Sequence, residues 1–216
     1  MFTVYTVPGS PFARAVCATL EEKKAAWRVV GVAPDRMRGD EHLARHPFGR
    51  VPVLEHDDFL LYETQAILRY LDRVLRQPSL TPADPRSAAR MDQAMNVNDW
   101  YLFQGCASVI GFQRVIGPRL LELTPDEAAI AEAMPRAKVV FAELARLLGD
   151  SPYIAGDTLS LADLLVAPQM DILAETPEWN ELTGADSKLP AWLTRVASRV
   201  SMTATTWTNV ARKAAA

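Results

Sequence analysis

Short apolar runs alternate with stretches of helical period through residues 1–77. Phe2–Val7 and Trp27–Val32 read as strands around a helix at Pro11–Lys24, so the chain opens β-α-β. A short helix over Asp40–Arg45 follows. Val51–Glu55 and Phe59–Tyr62 flank the polar tip His56-Asp57-Asp58 and predict a hairpin. From Thr64 to Arg76 the spacing is helical again: Ile67, Leu71 and Val74, with Leu68 and Leu75 alongside, form one apolar stripe. Arg69, Asp72, Arg73 and Arg76 take the other positions.

The pattern then breaks. Pro78, Pro82 and Pro85 each bias their predecessors toward extended backbone, which makes 78–85 a linker between a first domain at 1–77 and a second at 86–216. Beyond the linker no convincing strand is visible. Helical stretches are predicted at 86–115, 125–148, 160–174, 189–199 and, more weakly, 203–213, so the second domain is expected to be all helical. Thr124-Pro125 with Glu127 opens one helix and Gly149 closes it. Ser160 with Asp163 has the spacing of a capping box, with Leu159 and Leu164 placed as a hydrophobic staple, and cap spacing accounts for both polar residues without catalysis. Ala214–Ala216 reads as a frayed end.

Composition narrows the function classes. With 23 Lys+Arg against 26 Asp+Glu the chain has no basic surplus for phosphates, which argues against nucleic-acid binding. No run approaches the apolar length of a membrane helix, and the start lacks the basic region of a signal peptide. Two cysteines, Cys17 and Cys106, supply neither a zinc set nor a disulfide framework, and the expected setting is the reducing cytoplasm. Each is most simply a small buried hydrophobe. His42 and His46 are four residues apart, but no glutamate of a zinc-helix motif stands between them and no third ligand is evident, so no metal is expected.

Three strand–helix or loop–strand junctions carry the candidate chemistry. In Val7-Pro8-Gly9-Ser10-Pro11-Phe12-Ala13-Arg14, proline at the first helical position puts Ser10 at or beside an N-cap. The hydroxyl either only caps the helix or serves an anion site, where unpaired amides and the helix dipole favour a thiolate or phosphate. At Val51-Pro52 a trans edge proline is the default, and a cis bond would turn the Val51 backbone outward toward a peptide-like ligand. At Glu63-Thr64, Thr64 reads as an N-cap, or else as one half of a pair that holds a carboxylate while Glu63 takes an ammonium.

These three junctions in order, then a proline linker and a helical second half, resemble the glutathione transferases over essentially the whole chain. The resemblance implies a thioredoxin-like α/β N-terminal domain and an all-α C-terminal domain, glutathione as co-substrate, and a homodimer. The stretch PGSPFAR is similar to the serine-type theta and delta classes, and EHLARHPFGRVPVLEHDDFLLYETQAILRYL to the phi class; the class stays open. Two departures stand out: Glu63-Thr64 where the family has Glu-Ser, and His46-Pro47 where it has Asn-Pro. Serine at position 10, where reductase-type relatives carry cysteine, argues against thiol–disulfide chemistry.

The resemblance assigns Ser10 to activating the glutathione thiol, the Val51 backbone beside Pro52 to the cysteinyl unit, and Glu63 with Thr64 to the γ-glutamyl end. Arg38 and Arg50 would meet the glycyl carboxylate. The hydrophobic electrophile would lie against Pro11 and Phe12 and against Trp100, Phe103 and Ala107, although aromatics at helical spacing are by default core. Tyr5, mid-strand, suits packing better than thiol activation. The implied function is conjugation of glutathione to hydrophobic electrophiles. The alternative is a noncatalytic glutathione-dependent carrier or a thioredoxin-like interaction domain, and peroxidase or dehalogenase chemistry would use the same thiolate. Phe48 is either a dimer key or core.

Overall fold

The computed structural model describes residues 1–185 and 187–215, so Ala216 of the expected frayed end lies outside the described residues. Contacts divide the chain into two compact units, residues 1–80 with 198–216, and residues 81–197. The first unit is built on a four-stranded sheet in the order β2-β1-β3-β4, with β1 Phe2–Thr6, β2 Trp27–Gly31, β3 Val53–His56 and β4 Phe59–Tyr62. β2 runs parallel to β1, whereas β3 and β4 are antiparallel neighbours. All five residues of β1 are buried because the strand is central, paired on both edges. β2, an edge strand, buries Trp27 and Val29 and exposes Arg28. The helices are α1 Pro11–Glu22, α2 Asp40–Leu43 and α3 Thr64–Val74, and α3 buries Ile67, Leu68 and Leu71 as its apolar stripe requires.

Small shifts from the expected boundaries have local causes. The hairpin strands meet through Asp57-Asp58 alone, with Asp57 in the left-handed region at φ 57°, a conformation aspartate tolerates in turns. Asp84 caps α4 (Pro85–Val97) by accepting from the Ser87 amide at 2.8 Å, so Pro85 is a helical first-turn residue rather than linker.

The second unit continues from α4 into Asn98–Ile116, a wide helix with i→i+5 bonding, then α5 Gly117–Leu121 and α6 Glu127–Leu148. Asp126, not Thr124, caps α6, accepting from the amides of Ala128 and Ala129, and Gly149 closes it at φ 55°. α7 Leu161–Ala174, α8 Trp179–Thr183 and α9 Leu189–Ala197 complete the unit. Its described residues form no named strand, only the isolated bridge Tyr153–Gly156. The core gathers around α7, where Ser160 and Asp163 are fully buried. Asp163 accepts from the Ser160 hydroxyl at 2.7 Å, the Ser160 amide at 2.9 Å, the Ile154 amide at 2.9 Å and the Trp192 indole at 2.8 Å. These are structural roles, as cap spacing implies.

The expected second domain ran to the C-terminus. Instead α10 Val200–Ala204 and α11 Trp207–Ala215 join the first unit: α10 packs on α1, and α11 lies along β2. Arg199 makes a bidentate pair with Glu22 at 2.7 and 2.8 Å, and the Lys213 ammonium stands 3.7 Å over the Trp27 ring. α11 thereby packs against β2, the edge strand of the sheet. Ala214 and Ala215 are helical rather than frayed.

Candidate functional site

Strand register brings the three junctions to one end of the sheet. Tyr5 of β1 pairs with Val53 of β3, and Val53 pairs with Tyr62 of β4. The chain therefore leaves β1 toward Ser10, enters β3 from Val51-Pro52, and leaves β4 into Glu63-Thr64, all at the same end. Two strand spacings separate the first junction from the last, about 10 Å, which is the length of about three extended residues. Thr6 pairs with Gly31, and the Val32 amide donates to the Thr6 carbonyl at 2.8 Å, so the loop carrying Arg38 starts from this end too.

Ser10 is the N-cap of α1 with extended backbone, φ −66° and ψ 116°, and its Oγ accepts from the Ala13 amide at 3.2 Å. Capping uses the oxygen as an acceptor and leaves the hydroxyl hydrogen to donate, so the two roles weighed for Ser10 are compatible. The first turn of α1 carries no acidic side chain, and the positive end of the helix is unopposed from within it. Gly9 precedes Ser10 at φ +93°, a backbone region where only glycine is unstrained.

The Val51–Pro52 bond is cis, with Pro52 buried and Val51 partly so. At the third junction the expected cap position is corrected: Glu63 is the N-cap residue, without a side-chain cap bond, and Thr64 is the first helical residue, 7% exposed. Glu63 holds φ +69°, costing about 1–3 kcal/mol for a residue with a Cβ, the kind of strain that concentrates at functional sites. The Ile67 amide is the first to find its helical acceptor, the Glu63 carbonyl at 3.0 Å, so the amides of 64–66 precede the helical ladder.

Arg38 and Arg50 are exposed, and adjoining loops carry them: a Cβ on Gly49, φ +60°, would stand 3.5 Å from Arg38 Cγ and 2.9 Å from the Met37 carbonyl. Sequence inspection missed what holds this loop. Buried His42 donates from Nε2 to the Arg50 carbonyl at 2.8 Å, since a carbonyl can only accept. His46 Nδ1 accepts from the Phe48 amide at 3.3 Å, the bond an asparagine side chain makes to the amide two residues on, which explains how His46-Pro47 stands in for Asn-Pro. Burial first, then the proximity of His42 and Arg50, lowers the His46 pKa, which favours the neutral ring that this acceptor role needs. The i, i+4 histidine spacing was visible in sequence and set aside as a metal site, but its tie to the Arg50 loop was not legible there.

Pro11 and Phe12 are half-buried at the start of α1. In the second unit Trp100 is 64% exposed, Phe103 half-buried and Ala107 buried. The default core assignment therefore fails for Trp100 and also for Tyr101. In the wide helix, burial recurs at Asn98, Leu102, Cys106 with Ala107, then Ile110 with Gly111, and Val115, nearer four residues apart than 3.6. Tyr5 is buried and donates to Glu55 at 2.5 Å; burial and this carboxylate raise its phenol pKa, the wrong direction for a thiol activator. Burial pushes both Cys17 and Cys106 up to about 12, which makes them inert. Phe48 is 68% exposed, so it is not core.

A thioredoxin-like sheet joined to a helical unit, with these junctions aligned at one sheet end, defines the architecture of glutathione transferases. Residues 1–73 match the glutathione S-transferase N-terminal domain and residues 103–199 its C-terminal domain, and the chain belongs to this family of enzymes. It is 32% identical to a glutathione S-transferase of Hyoscyamus muticus, with 88% of this chain and 90% of that protein covered. It is 31% identical to the probable glutathione S-transferase GSTF2 of Oryza sativa subsp. japonica over 85% of this chain and 86% of the relative. Among solved structures, glutathione transferase F7 from Populus trichocarpa superposes with a TM-score of 0.84 at 26% identity, covering 99% of both chains. No helix of the described residues is long and apolar enough to cross a membrane.

Proposed function

We propose that this enzyme conjugates glutathione to hydrophobic electrophiles and that Ser10 activates the thiol. A free thiol titrates near 8.5, so only a few per cent is thiolate at neutral pH. Lowering that value by about two units requires about 2.7 kcal/mol of preferential thiolate stabilisation. A hydroxyl donating to a charged acceptor contributes about 1.5–3 kcal/mol and a helix N-terminus about 0.3–1, so no general base is needed. The supporting observation is the geometry of Ser10: its oxygen is engaged by the cap and its hydrogen is left for a donor bond, at the unopposed positive end of α1.

The other contacts follow from the junctions. The Val51 backbone, preceding Pro52, pairs with the cysteinyl unit. Thr64 and the amides at the start of α3 take the γ-glutamyl carboxylate while Glu63 takes its ammonium. Arg38 and Arg50 meet the glycyl carboxylate. Pro11, Phe12, Trp100, Phe103 and Ala107 are assigned to the electrophile. The chain works as a homodimer in the cytoplasm, with exposed Phe48 as a docking residue.

The test is Ser10→Ala, with kcat/KM toward an aryl halide measured against pH. Removing the donor should raise the kinetic pKa of the bound thiol by about one to two units and slow turnover about ten- to a hundredfold at neutral pH. A pH profile and rate equal to wild type would exclude Ser10 as the activator.

A further inference from the structure

The turn that presents Ser10 is held from outside by the C-terminal segment. A Cβ built on Gly9 would lie 2.7 Å from Cε2 and Cζ2 and 2.8 Å from Cδ2 of Trp207. Near-equal distances to three ring atoms place the indole face directly against the Gly9 backbone. On the other side of Ser10, the Arg14 guanidinium donates to the Met202 carbonyl at 3.2 Å, and the Arg14 amide donates to the Ser10 carbonyl at 2.9 Å. Ser10 is thus bracketed at the preceding residue and at the fourth residue beyond by one segment of chain.

That segment is itself anchored. Glu22, at the far end of α1, receives the Arg199 pair and the Ser201 hydroxyl at 2.5 Å. The Thr205 hydroxyl donates to the Ser201 carbonyl at 2.7 Å, and the Asn209 side chain to the Thr203 carbonyl at 2.8 Å, closing the link between α10 and α11. Val210 is buried, and Lys213 lies over Trp27 on β2. The indole is therefore presented from a fixed support, and Gly9, at φ +93° with no side chain, is the position where so close an approach fits.

We propose that Trp207 is a positioning residue for the reaction: its indole, seated on the Gly9 backbone, holds the β1–α1 turn in the shape that aims the Ser10 hydroxyl at the glutathione sulfur. This rests on the assignment of Ser10 as activator. Donor bonds weaken steeply with misalignment, so a turn free to relax loses thiolate stabilisation before it loses glutathione binding, which depends on the other two junctions.

Trp207→Ala is read by the pH dependence of kcat/KM and by the thiolate absorbance of the glutathione complex, beside calorimetric affinity for glutathione. The expected result is a thiol pKa raised by about one unit, corresponding to about tenfold less thiolate below that pKa, with affinity little changed. Trp207→Phe, which keeps a flat ring on Gly9, should restore most of the shift. Thr208→Ala, an exposed position beside Trp207 on α11, should leave the profile where it is. A wild-type profile in Trp207→Ala, or an equal shift in Thr208→Ala, would overturn the role of the indole. Should Trp207→Ala fail to fold, Trp207→Leu is read by the same profile. A shift in Ser10→Ala without one in the Trp207 variants removes only this inference, whereas no shift in Ser10→Ala removes the activation mechanism as well.

Discussion

Ser10 and Ser160 occupy the same kind of place, each the N-cap of a helix in its own unit, and they differ in where the hydroxyl hydrogen goes. The Ser160 hydroxyl donates to Asp163, a carboxylate carried in the first turn of its own helix, and both side chains are sealed in the core. The Ser10 hydroxyl accepts from the Ala13 amide, sits half-exposed, and has no acid in the first turn of its helix. One cap carries a resident anion. The other offers the positive end of a helix and an uncommitted hydroxyl hydrogen to an anion from outside, which on the proposed mechanism is the thiolate. Cap geometry alone does not separate a structural serine from a functional one; the presence of an internal anion that takes the hydroxyl hydrogen does.

The largest effect should come from the sealed site. Asp163→Ala leaves the Trp192 indole and the amides of Ile154 and Ser160 without acceptors, and should cost about 3–5 kcal/mol of stability in thermal or denaturant unfolding. A loss below about 1 kcal/mol would mean that the four-donor arrangement is not what fixes α7. Ser10→Ala gives the mirror result: about 1 kcal/mol of stability through the lost cap, with the main effect on the thiol pKa. If it instead destabilised as strongly as the Asp163 variant and left the profile alone, the distinction between the two serines would vanish.

Thr64 extends the comparison to a third helix start. Its hydroxyl is at the first helical position rather than the cap, so truncation removes no cap bond. Thr64→Ala should weaken glutathione binding by about 1–1.5 kcal/mol, about tenfold in Kd by calorimetry, with the thiol pKa unchanged. A shifted pH profile at undiminished affinity would reverse the division of labour between the first and third junctions.

How legible these features were in sequence depended on their range. Strand alternation, the Asp57-Asp58 turn and the stripe of α3 are local and could be read directly, as could the Ser160–Asp163 spacing. The wide helix could not, because its burial recurs at an interval that a 3.6-residue period does not match, and the default that places aromatics at helical spacing in the core fails at Trp100, which is exposed. The docking of α11 was equally hidden: periodicity marks an apolar face without saying which surface receives it, and the segment after 197 was assigned to the helical domain when it packs with the first unit, α11 on β2. At the site, residue types were legible, but the direction of the Ser10 bond, the cap at Glu63 and the His42 tie to Arg50 depend on register between distant segments.

The smallest effect tests another serine–carboxylate pair, Ser201 with Glu22, which differs from Ser160 with Asp163 by the added guanidinium of Arg199. Burial raises the Asp163 carboxyl despite its four donors. Burial also acts to raise Glu22, but the bonds from Arg199 and Ser201 outweigh it and hold that carboxyl below its ordinary value. A folded-state value below the unfolded one means stability that is present above about pH 4.5 and lost as pH falls through the folded value. Glu22→Gln should therefore lower stability at neutral pH and flatten the acid side of the stability curve. Because the Arg199 side chain is 34% exposed and solvent screens it, the difference should stay below about 1 kcal/mol and shrink with added salt. An acid limb as steep in the variant as in the wild type would place the acid sensitivity elsewhere and leave Arg199 as a packing contact rather than the charge that separates the two pairs.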